Sequence, residues 1–378
     1  MLFLMSKTSN ERFRILSVVG TRPNFIKISP LLREMRKFPT IHPVLVHTGQ
    51  HYDRELNQQY FSDIDLPHPD FELAIREKTN SLQVAKMVER LDPLCRQVMP
   101  HLLLVVGDVN STLAASLVGT YLRIPIAHVE AGLRSFDWTM PEEMNRVVTD
   151  RLSTLLFTTE KNAETNLLRE GVARKRIFFV GNVMIDSLRL QLPRIQQSSI
   201  LRRLDLQKQQ YAVLTLHRPS NVDDQKQLEK LMRTFHELSR KLLLVFPIHP
   251  RTRENIKKFH LSAYLANIRA VDSLVYSDFL SLMQNAKLVL TDSGGVQEET
   301  TYLRVPCLTV RENTERPVTV HLGTNRIVGT DSTSITRSFA AVLRGNVKHG
   351  TVPPLWDGKA AARIVKIALR QYNRSVRS

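Results

Sequence analysis

Short apolar segments alternate with longer helical patterns along most of the chain, and this alternation restricts the fold more than any other feature. In the first half, six apolar segments are predicted strands, at residues 14–19, 44–47, 102–106, 124–129, 155–158 and 177–180. Helical patterns occupy residues 25–37 and 111–122 between them. Strands that alternate with helices in this way predict a parallel, doubly wound α/β sheet.

The alternation is interrupted once, by a polar stretch rich in Gln, Arg and Ser at residues 190–210. It then resumes with predicted strands at residues 211–216, 242–246, 268–271, 288–291 and 307–310. A length of 378 residues favours two domains over one or three. We therefore expect two similar α/β halves joined by a connector near residues 185–210.

The low cysteine content limits which class of protein this chain can be. The two cysteines, Cys95 and Cys307, are far apart and belong to no C-x-x-C pair, so we expect reduced thiols rather than a disulfide framework or a zinc site.

The first ten residues contain one short apolar patch, Leu2–Met5, which is too short for a signal peptide. No apolar run approaches the ~20 residues of a membrane span. We expect a cytoplasmic protein without stable membrane insertion.

The net charge of +17 is the one unusual bulk property. It could reflect an anionic partner or a solvated basic surface, and we favour the latter. No helix-turn-helix pattern and no aromatic-basic interleaving supports nucleic-acid binding, so no nucleic-acid partner is expected. After Asp357, basic residues recur every three or four positions beside an apolar face. This spacing predicts a docked C-terminal helix rather than a helix on a membrane surface.

Polar and glycine residues gather directly after seven of the predicted strands. These segments are Gly20–Asn24, Thr48–His51, Gly107–Asn110, His128–Arg134, His217–Asn221, His249–Pro250 and Asp292–Gly295. The carboxyl ends of parallel strands share one edge of a sheet, where α/β proteins bind their ligands. One such segment could be only a turn, but seven predict a binding site along this edge.

The segment Asp292–Glu299 carries the sharpest local signal, because a strand, a turn of small residues and a helix follow one another. Two glycines and a helix N-terminus suit a diphosphate without a metal. A simple helix N-cap by Ser293 or Asp292 explains the segment equally well. The chain has no G-x-G-x-x-G, Walker A, H-E-x-x-H or G-x-S-x-G motif, so a dinucleotide, P-loop, zinc-protease or hydrolase site is not supported.

Three carboxylates are candidate acids and bases. Asp108 and Glu130 follow predicted strands, and Glu142 follows Pro141 at the start of a predicted helix. Converging carboxylates can divide acid and base roles, because burial and mutual repulsion separate their pKa values. An Asx turn could explain Asp108 and a helix cap Glu142, whereas Glu130 is hardest to explain structurally. Residues that could bind phosphates or neutralise these carboxylates are Arg22, Lys27, Arg134, Arg218 and Arg316.

Taken in order, these motifs resemble one known family over residues 14 to about 370. The matching segments are Val19–Pro23 with Lys27, Val106–Asp108, His128–Arg134, Pro141–Glu143 with Asn145 and Arg146, Gly181–Asn182, His217–Arg218, Asp292–Glu299 and Thr314–Pro317. Together they are similar to the non-hydrolysing UDP-N-acetylglucosamine 2-epimerases. The resemblance implies a glycosyltransferase-B-like fold, with two Rossmann-like domains facing a cleft. It implies a carboxylate-bearing domain at 1–185, a UDP-binding domain at 186–357, and a helix at 358–378 that crosses back to the first domain.

The implied reaction reversibly converts UDP-N-acetylglucosamine to UDP-N-acetylmannosamine, a precursor of cell-surface polysaccharides. A base removes the C2 proton, UDP leaves from C1, and UDP adds back to the bound glycal after reprotonation from the opposite face. Asp108, Glu130 and Glu142 would transfer protons, and His217 would stabilise the departing UDP or carry a proton. No metal or other cofactor is implied, and the implied assembly is a homodimer.

The resemblance also implies which residues bind the UDP-sugar. Those near the diphosphate are Ser293, Gly294, Gly295, Arg22, Lys27 and Arg218. The others are Glu299 on the ribose, Phe279 on the uracil, Arg316 on the glycal or the phosphates, and Arg134 and His249 in the same site.

Some residues depart from the family pattern. Asn24 and Phe25 stand where many relatives have an acidic residue and alanine, and segments 217–221 and 249–253 mark a sub-branch, which leaves the exact sugar open. The alternatives are a hydrolysing 2-epimerase, a glycosyltransferase of the same fold and a non-catalytic binder of nucleotide sugars. The intact Glu130–Arg134 run favours the non-hydrolysing kind, and the retained carboxylates argue against a mere binder.

Overall fold

The computed structural model describes residues 12–49 and 61–377. The chain divides into two compact units, of which unit 1 comprises Met1–Ser187 and Asp357–Ser378, and unit 2 comprises Leu188–Trp356. The predictions made for the first ten residues, and for Gln50 and His51, lie outside the described residues.

Unit 1 is built on a parallel sheet with the strand order β3-β2-β1-β4-β5-β6-β7. Its strands are β1 (Phe13–Val19), β2 (Ile41–His47), β3 (Phe71–Glu72), β4 (Leu102–Val106), β5 (Ile126–Val129), β6 (Leu155–Thr158) and β7 (Ile177–Phe179). The helices that begin in this part of the chain are α1 (Arg22–Met35), α2 (Asn80–Val98), α3 (Asn110–Tyr121), α4 (Pro141–Leu152), α5 (Lys161–Arg169) and α6 (Val183–Gln197). Val106 pairs with Val129, so β4 and β5 end side by side.

Unit 2 repeats the plan with a parallel sheet in the order β10-β9-β8-β11-β12-β13. Its strands are β8 (Tyr211–Thr215), β9 (Leu243–Pro247), β10 (Ile268–Val271), β11 (Leu288–Thr291), β12 (Cys307–Thr309) and β13 (Asn325–Ile327). Its helices are α7 (Ile200–Arg203), α8 (Pro219–Val222), α9 (Gln225–Ser239), α10 (Pro250–Lys258), α11 (Tyr276–Gln284), α12 (Gly294–Leu303), α13 (Pro317–His321) and α14 (Ser332–Leu343). Thr215 pairs with Thr291, so β8 and β11 also end together.

These two parallel sheets confirm the predicted fold class. The predicted strands at 102–106, 155–158, 268–271 and 288–291 match the observed bounds, and the other predicted strands differ by one to three residues at an end. Two short strands, β3 and β13, were not predicted. The connector near 185–210 was assigned no element, yet most of it is helical in α6 and α7.

Pro30 lies inside α1, because the helix begins at Arg22 rather than at the expected Phe25. A proline has no N–H, so an interior proline leaves the carbonyl four residues earlier without its helical donor. That carbonyl belongs to Ile26, and the Ser187 hydroxyl of α6 donates a hydrogen bond to it. A side chain from another helix therefore replaces the hydrogen bond that Pro30 removes.

The last helix, α15 (Ala360–Arg377), packs on α1 within unit 1. Its apolar side is buried, and the Tyr372 ring stacks on Phe13 of β1 with the ring centroids 4.2 Å apart. At its start, the Asp186 carboxylate accepts hydrogen bonds from the N–H groups of Ala360 (3.2 Å) and Ala361 (2.7 Å). Asp186 therefore satisfies two of the N–H groups that every helix N-terminus leaves without a helical partner.

Within the part of the chain that the structure describes, no helix combines the length and the apolar character needed to cross a membrane.

We expect Asp186→Ala to destabilise the docked α15 by about 1–2 kcal/mol, because two buried N–H groups lose their acceptor. Hydrogen exchange measured by mass spectrometry should show faster exchange in peptides from residues 360–377. Asp186→Asn is the matched control, since its amide oxygen still accepts a hydrogen bond and should preserve most of the protection. Equal protection in the alanine variant and the wild type would contradict the capping role.

Candidate active site

The ends of β4 and β5 bring two predicted catalytic carboxylates to one edge of unit 1. Asp108 follows Gly107, whose φ is +68°, and Glu130 directly follows β5. A Cβ atom at Gly107 would lie 3.2 Å from the Lys27 amine and 3.9 Å from a Glu130 carboxylate oxygen. Glu130 itself has a φ of +76°. A non-glycine residue in this left-handed region is strained, and such strain is concentrated at functional sites.

Lys27 and Glu130 form a buried ion pair. Burying one of these charges alone would be costly, so each stabilises the other in the charged form. The sequence left two roles open for Lys27, phosphate binding or neutralisation of a carboxylate, and the structure places it on the carboxylate.

Arg146 of α4 makes ion pairs with both Asp108 and Glu143. Its side chain is almost fully buried, and Asn145 beside it donates to the backbone carbonyl of Asp108 at 3.0 Å. The sequence motif contained Arg146 and Asn145 but gave them no role, because their partner lies 37 to 38 residues away. Two neighbouring residues of one helix therefore fix both the backbone and the carboxylate of Asp108.

Glu142, the third predicted catalytic carboxylate, is half-buried in the first turn of α4. It stands one helical turn before Arg146, so both residues lie on the same face of the helix. Its neighbour Glu143 instead accepts hydrogen bonds from the N–H groups of Ser135 (3.0 Å) and Phe136 (2.9 Å). Glu142 thus shares the helix face from which Arg146 contacts Asp108.

Arg134 is buried, and its guanidinium forms ion pairs and a hydrogen bond with other residues of unit 1. Its guanidinium contacts Asp150 and Glu170, both at 2.7 Å, and donates to the carbonyl of Leu133. These contacts give Arg134 a structural role, and its predicted role in binding substrate gains no support from them. Arg22, at the first position of α1, is half-buried.

The hydrogen bonds of Asn24 explain why this position has an amide where many relatives have an acidic residue. Its side-chain oxygen accepts from the N–H groups of Gly20 (3.4 Å) and Thr21 (3.1 Å), while its amide nitrogen donates to the Val106 carbonyl at 2.9 Å. A carboxylate could make the first two contacts but could not donate the third. Asn24 therefore ties the β1 turn to the end of β4.

Asp292 accepts hydrogen bonds from several residues at the edge of unit 2 where β8 and β11 end. The buried carboxylate accepts from the N–H groups of His217 (3.0 Å) and Arg218 (2.8 Å), from the Asn221 amide (3.1 Å), and contacts His217 Nδ1 at 3.0 Å. Burial alone would raise the pKa of Asp292, but the charge and hydrogen bonds of His217 and the two backbone donors hold it at about 2. The suggested N-cap role of Asp292 is therefore wrong, since its donors come from the loop after β8 and from α8.

Ser293 occupies the N-cap position of α12, but its hydroxyl caps no backbone N–H, and its own N–H donates to the Thr291 hydroxyl at 2.9 Å. The helix then starts with Gly294 and Gly295. A side chain at Gly294 would displace the side chains of Arg316 and Glu315. The helix start keeps the geometry that suits an anion.

Five charged side chains surround this helix start. Glu315 is contacted by Arg218 at 3.4 Å, by Arg311 at 2.9 Å and by Arg316, while Arg316 also contacts Glu298 at 2.9 Å. The sequence motifs identified Arg218 and Arg316 and included the two buried glutamates in matching segments without a role, but they missed Arg311. The arginines are thus held in place before any anion binds.

His217 and His249 lie near each other, with their ring centroids 5.8 Å apart. The His217 side chain is 37% exposed although its Nδ1 is bound to Asp292. His249 is exposed, and its Nδ1 accepts from the Arg251 N–H at 3.3 Å.

Glu299 of α12 is buried and accepts a hydrogen bond from the Tyr276 hydroxyl at 2.7 Å. Burial and the nearby charge of Glu298 raise its pKa to about 8, although the Tyr276 hydrogen bond lowers it. Phe279 stands three residues after Tyr276 on α11 and is half-buried. Sequence reasoning did not identify Tyr276, which lies 23 residues from its partner.

Residues 12–49 and 61–377 contain no group of three or more His, Cys, Asp or Glu side chains placed to hold a metal ion. The chemistry that the described side chains offer is proton transfer by carboxylates in unit 1 and anion binding beside a histidine in unit 2.

Residues 33–369 match the family model for UDP-N-acetylglucosamine 2-epimerase. A UDP-N-acetylglucosamine 2-epimerase homolog from Methanococcus maripaludis is 41% identical over 94% of this chain and 99% of its own length. The UDP-2,3-diacetamido-2,3-dideoxy-D-glucuronate 2-epimerase of Pseudomonas aeruginosa is 38% identical over 93% of this chain and 98% of its own length.

Solved structures agree with these matches. The crystal structure of Methanocaldococcus jannaschii UDP-GlcNAc 2-epimerase in complex with UDP-GlcNAc and UDP has a TM-score of 0.88 at 39% identity, covering 94% of this chain and 99% of that one. A glycosyltransferase from Rickettsia africae reaches a TM-score of 0.53 at 11% identity, covering 96% of this chain and 98% of that one, which shows a shared fold alone.

We expect the stability of the protein to depend on the ionisation of Glu299. Its pKa of about 8 lies above the usual 4.5, so the folded state holds this proton more tightly than the unfolded state does. The resulting stabilisation is complete below about pH 4.5 and is lost as the pH rises through about 8. Thermal unfolding from pH 5 to 8.5 should therefore show a steeper loss in the wild type than in Glu299→Gln. Glu254→Gln, at an exposed position of unit 2, should follow the wild type, whereas parallel curves for all three proteins would refute the prediction.

Proposed function

The chain belongs to the UDP-N-acetylglucosamine 2-epimerase family, and from that premise we propose that it is a non-hydrolysing epimerase. The proposed reaction reversibly converts UDP-N-acetylglucosamine to UDP-N-acetylmannosamine by eliminating UDP and adding it back to an enzyme-held glycal. The observation that supports the proposal is the pairing of Glu130 with Lys27 and of Asp108 with Arg146 at the ends of two neighbouring strands.

Unit 1 supplies the proton transfers in this proposal. The C2 proton of the sugar is only weakly acidic, so its removal needs a positioned base, and its return to the opposite face needs an acid. Lys27 pairs with Glu130 and Arg146 pairs with Asp108, and a carboxylate held in this way is a positioned proton acceptor. In this proposal Glu142 is a third carboxylate that takes part in removing or returning the C2 proton.

Unit 2 holds the leaving UDP in this proposal. The start of α12 at Ser293, Gly294 and Gly295 binds the diphosphate with Arg218 and Arg316. Asp292 orients His217 through Nδ1, so that Nε2 can donate a hydrogen bond to the departing phosphate oxygen. Arg22 and His249 add positive or polar groups near the phosphates. Glu299 binds the ribose hydroxyls, and Phe279 packs on the uracil.

The cellular setting belongs to the same proposal. The enzyme works in the cytoplasm as a homodimer, without a metal or other cofactor, and makes precursors for cell-surface polysaccharides. UDP-N-acetylglucosamine is the proposed sugar because the structural relative from M. jannaschii binds it together with UDP. The P. aeruginosa relative is named for a different 2-acetamido sugar, so that sugar is the second substrate to test.

Incubation with UDP-N-acetylglucosamine alone in deuterated water tests the proposed reaction. Epimerisation through a C2 carbanion should place deuterium on C2 of recovered UDP-N-acetylglucosamine and UDP-N-acetylmannosamine, as detected by NMR. Free N-acetylmannosamine with UDP would identify a hydrolysing enzyme. Recovery of unlabelled substrate, with exchange seen only for the diacetamido sugar, would overturn the assigned substrate.

We expect Glu130→Gln to keep UDP binding and to lose turnover by about 10²- to 10⁴-fold, because the amide cannot transfer the C2 proton. Steady-state kinetics and UDP titration by calorimetry measure the two effects separately. Glu89→Gln, at an exposed position of the same unit, is the control and should keep full activity. A fully active Glu130→Gln enzyme would remove Glu130 from the chemistry.

A further inference from the structure

Asp150, on α4, connects the two loops that carry the predicted catalytic carboxylates of unit 1. It is almost fully buried. One carboxylate oxygen contacts His128 Nδ1 at 2.6 Å, and the other accepts from the Gly132 N–H at 3.0 Å and contacts Arg134 at 2.7 Å. Gly132 stands two residues after Glu130, so Asp150 fixes the Glu130 loop directly.

His128 carries the connection from Asp150 to the other loop. It lies in β5 with no solvent exposure, and its Nε2 is 2.8 Å from the carbonyl oxygen of Gly107, the residue before Asp108. A chain of two hydrogen bonds therefore joins Asp150 to the backbone that positions Asp108.

The partners of His128 determine its protonation. The Gly107 carbonyl can only accept a hydrogen bond, and an ionised carboxylate can only accept as well. Burial alone would raise the pKa of Asp150, but its contacts with His128 and Arg134 hold the pKa below its usual range. Hydrogens on both ring nitrogens of His128, which make the ring a cation, would satisfy both acceptors.

The surrounding charges are consistent with a buried imidazolium. Asp150 faces it from α4, while Arg134 shares Asp150 and extends the network to Glu170 beyond α5. With an imidazolium at His128, the cluster has two cations, His128 and Arg134, and two anions, Asp150 and Glu170, so its net charge is balanced.

We propose that His128, held as an imidazolium, and Asp150 are positioning residues that set the Asp108 and Glu130 loops relative to each other. This inference rests on the proposed epimerisation, in which these two carboxylates act on one sugar carbon. Proton transfer depends steeply on placement, and an error of about 1 Å can cost roughly 100-fold in rate. Neither His128 nor Asp150 touches the substrate in this arrangement.

Two variants separate this role from a general effect on stability. Asp150→Asn keeps the shape of the side chain and an acceptor for the Gly132 N–H, but its NH₂ group replaces the oxygen that His128 Nδ1 contacts, so the link to the Asp108 loop is lost. His128→Gln can donate to the Gly107 carbonyl but has no ring to span both partners. Glu170→Gln is the matched control, because it changes the same cluster on the side away from both loops.

We expect Asp150→Asn and His128→Gln to lower kcat by roughly ten- to hundredfold while the KM for UDP-N-acetylglucosamine changes less than about twofold. Glu170→Gln should retain kcat within about twofold. Unchanged kcat in both test variants, or a loss confined to KM, would overturn the positioning role. An equal loss of kcat in Glu170→Gln would also overturn it, because the effect would then reflect the cluster as a whole.

A spectroscopic readout tests the imidazolium without relying on activity. Nitrogen NMR of ¹⁵N-histidine-labelled wild type at pH 8 should show both ring nitrogens of His128 protonated, with the signals assigned by their loss in His128→Gln. A neutral ring would overturn the inference even if a variant failed to fold. Absence of C2 exchange in the wild type would instead refute the proposed function, and the ring signals would still decide the protonation of His128.

Discussion

An ionised carboxylate is costly to bury, and each unit of this chain offsets that cost by surrounding one aspartate with donors. Asp150 in unit 1 and Asp292 in unit 2 each accept hydrogen bonds from backbone N–H groups beyond the ends of parallel strands. Such loops have no ladder partner, so their N–H groups need acceptors from side chains. The shape of each polar sheet edge therefore depends on one buried negative charge.

Both aspartates also contact a histidine, and the difference in exposure separates what the two histidines can do. His128 has no solvent exposure, and both of its ring nitrogens face acceptors, so it acts as a fixed charge. His217 is partly exposed and is bound to Asp292 through Nδ1. The aspartate–histidine pair of unit 1 thus holds two loops in place, whereas the corresponding pair of unit 2 leaves its histidine ring accessible to a ligand.

The sequence predicted those features whose signals are local. Apolar runs and the polar residues after them lie within a few positions of each other, so the two sheets and the residues at their edges could be found. Strand β3 has only two residues, and β13 starts with the polar residues Asn325 and Arg326, so neither forms an apolar run. The partners of Arg146, Asp292 and Pro30 are brought close only by the fold, since Ile26 and Ser187 are 161 residues apart. Contacts at such separations leave no periodic trace in a sequence.

The Asp186 cap on α15 has a consequence for how the chain is made. Unit 2 is one uninterrupted stretch, Leu188–Trp356, whereas unit 1 is assembled from segments on both sides of it. The chain leaves unit 1 just after Asp186 and re-enters it just before Ala360, and the hydrogen bonds between these two residues close that gap. During translation, unit 2 is therefore fully synthesised before unit 1 receives its last helix. The surface of α1 that α15 covers stays open on the ribosome until then, so unit 1 is begun before unit 2 and completed after it.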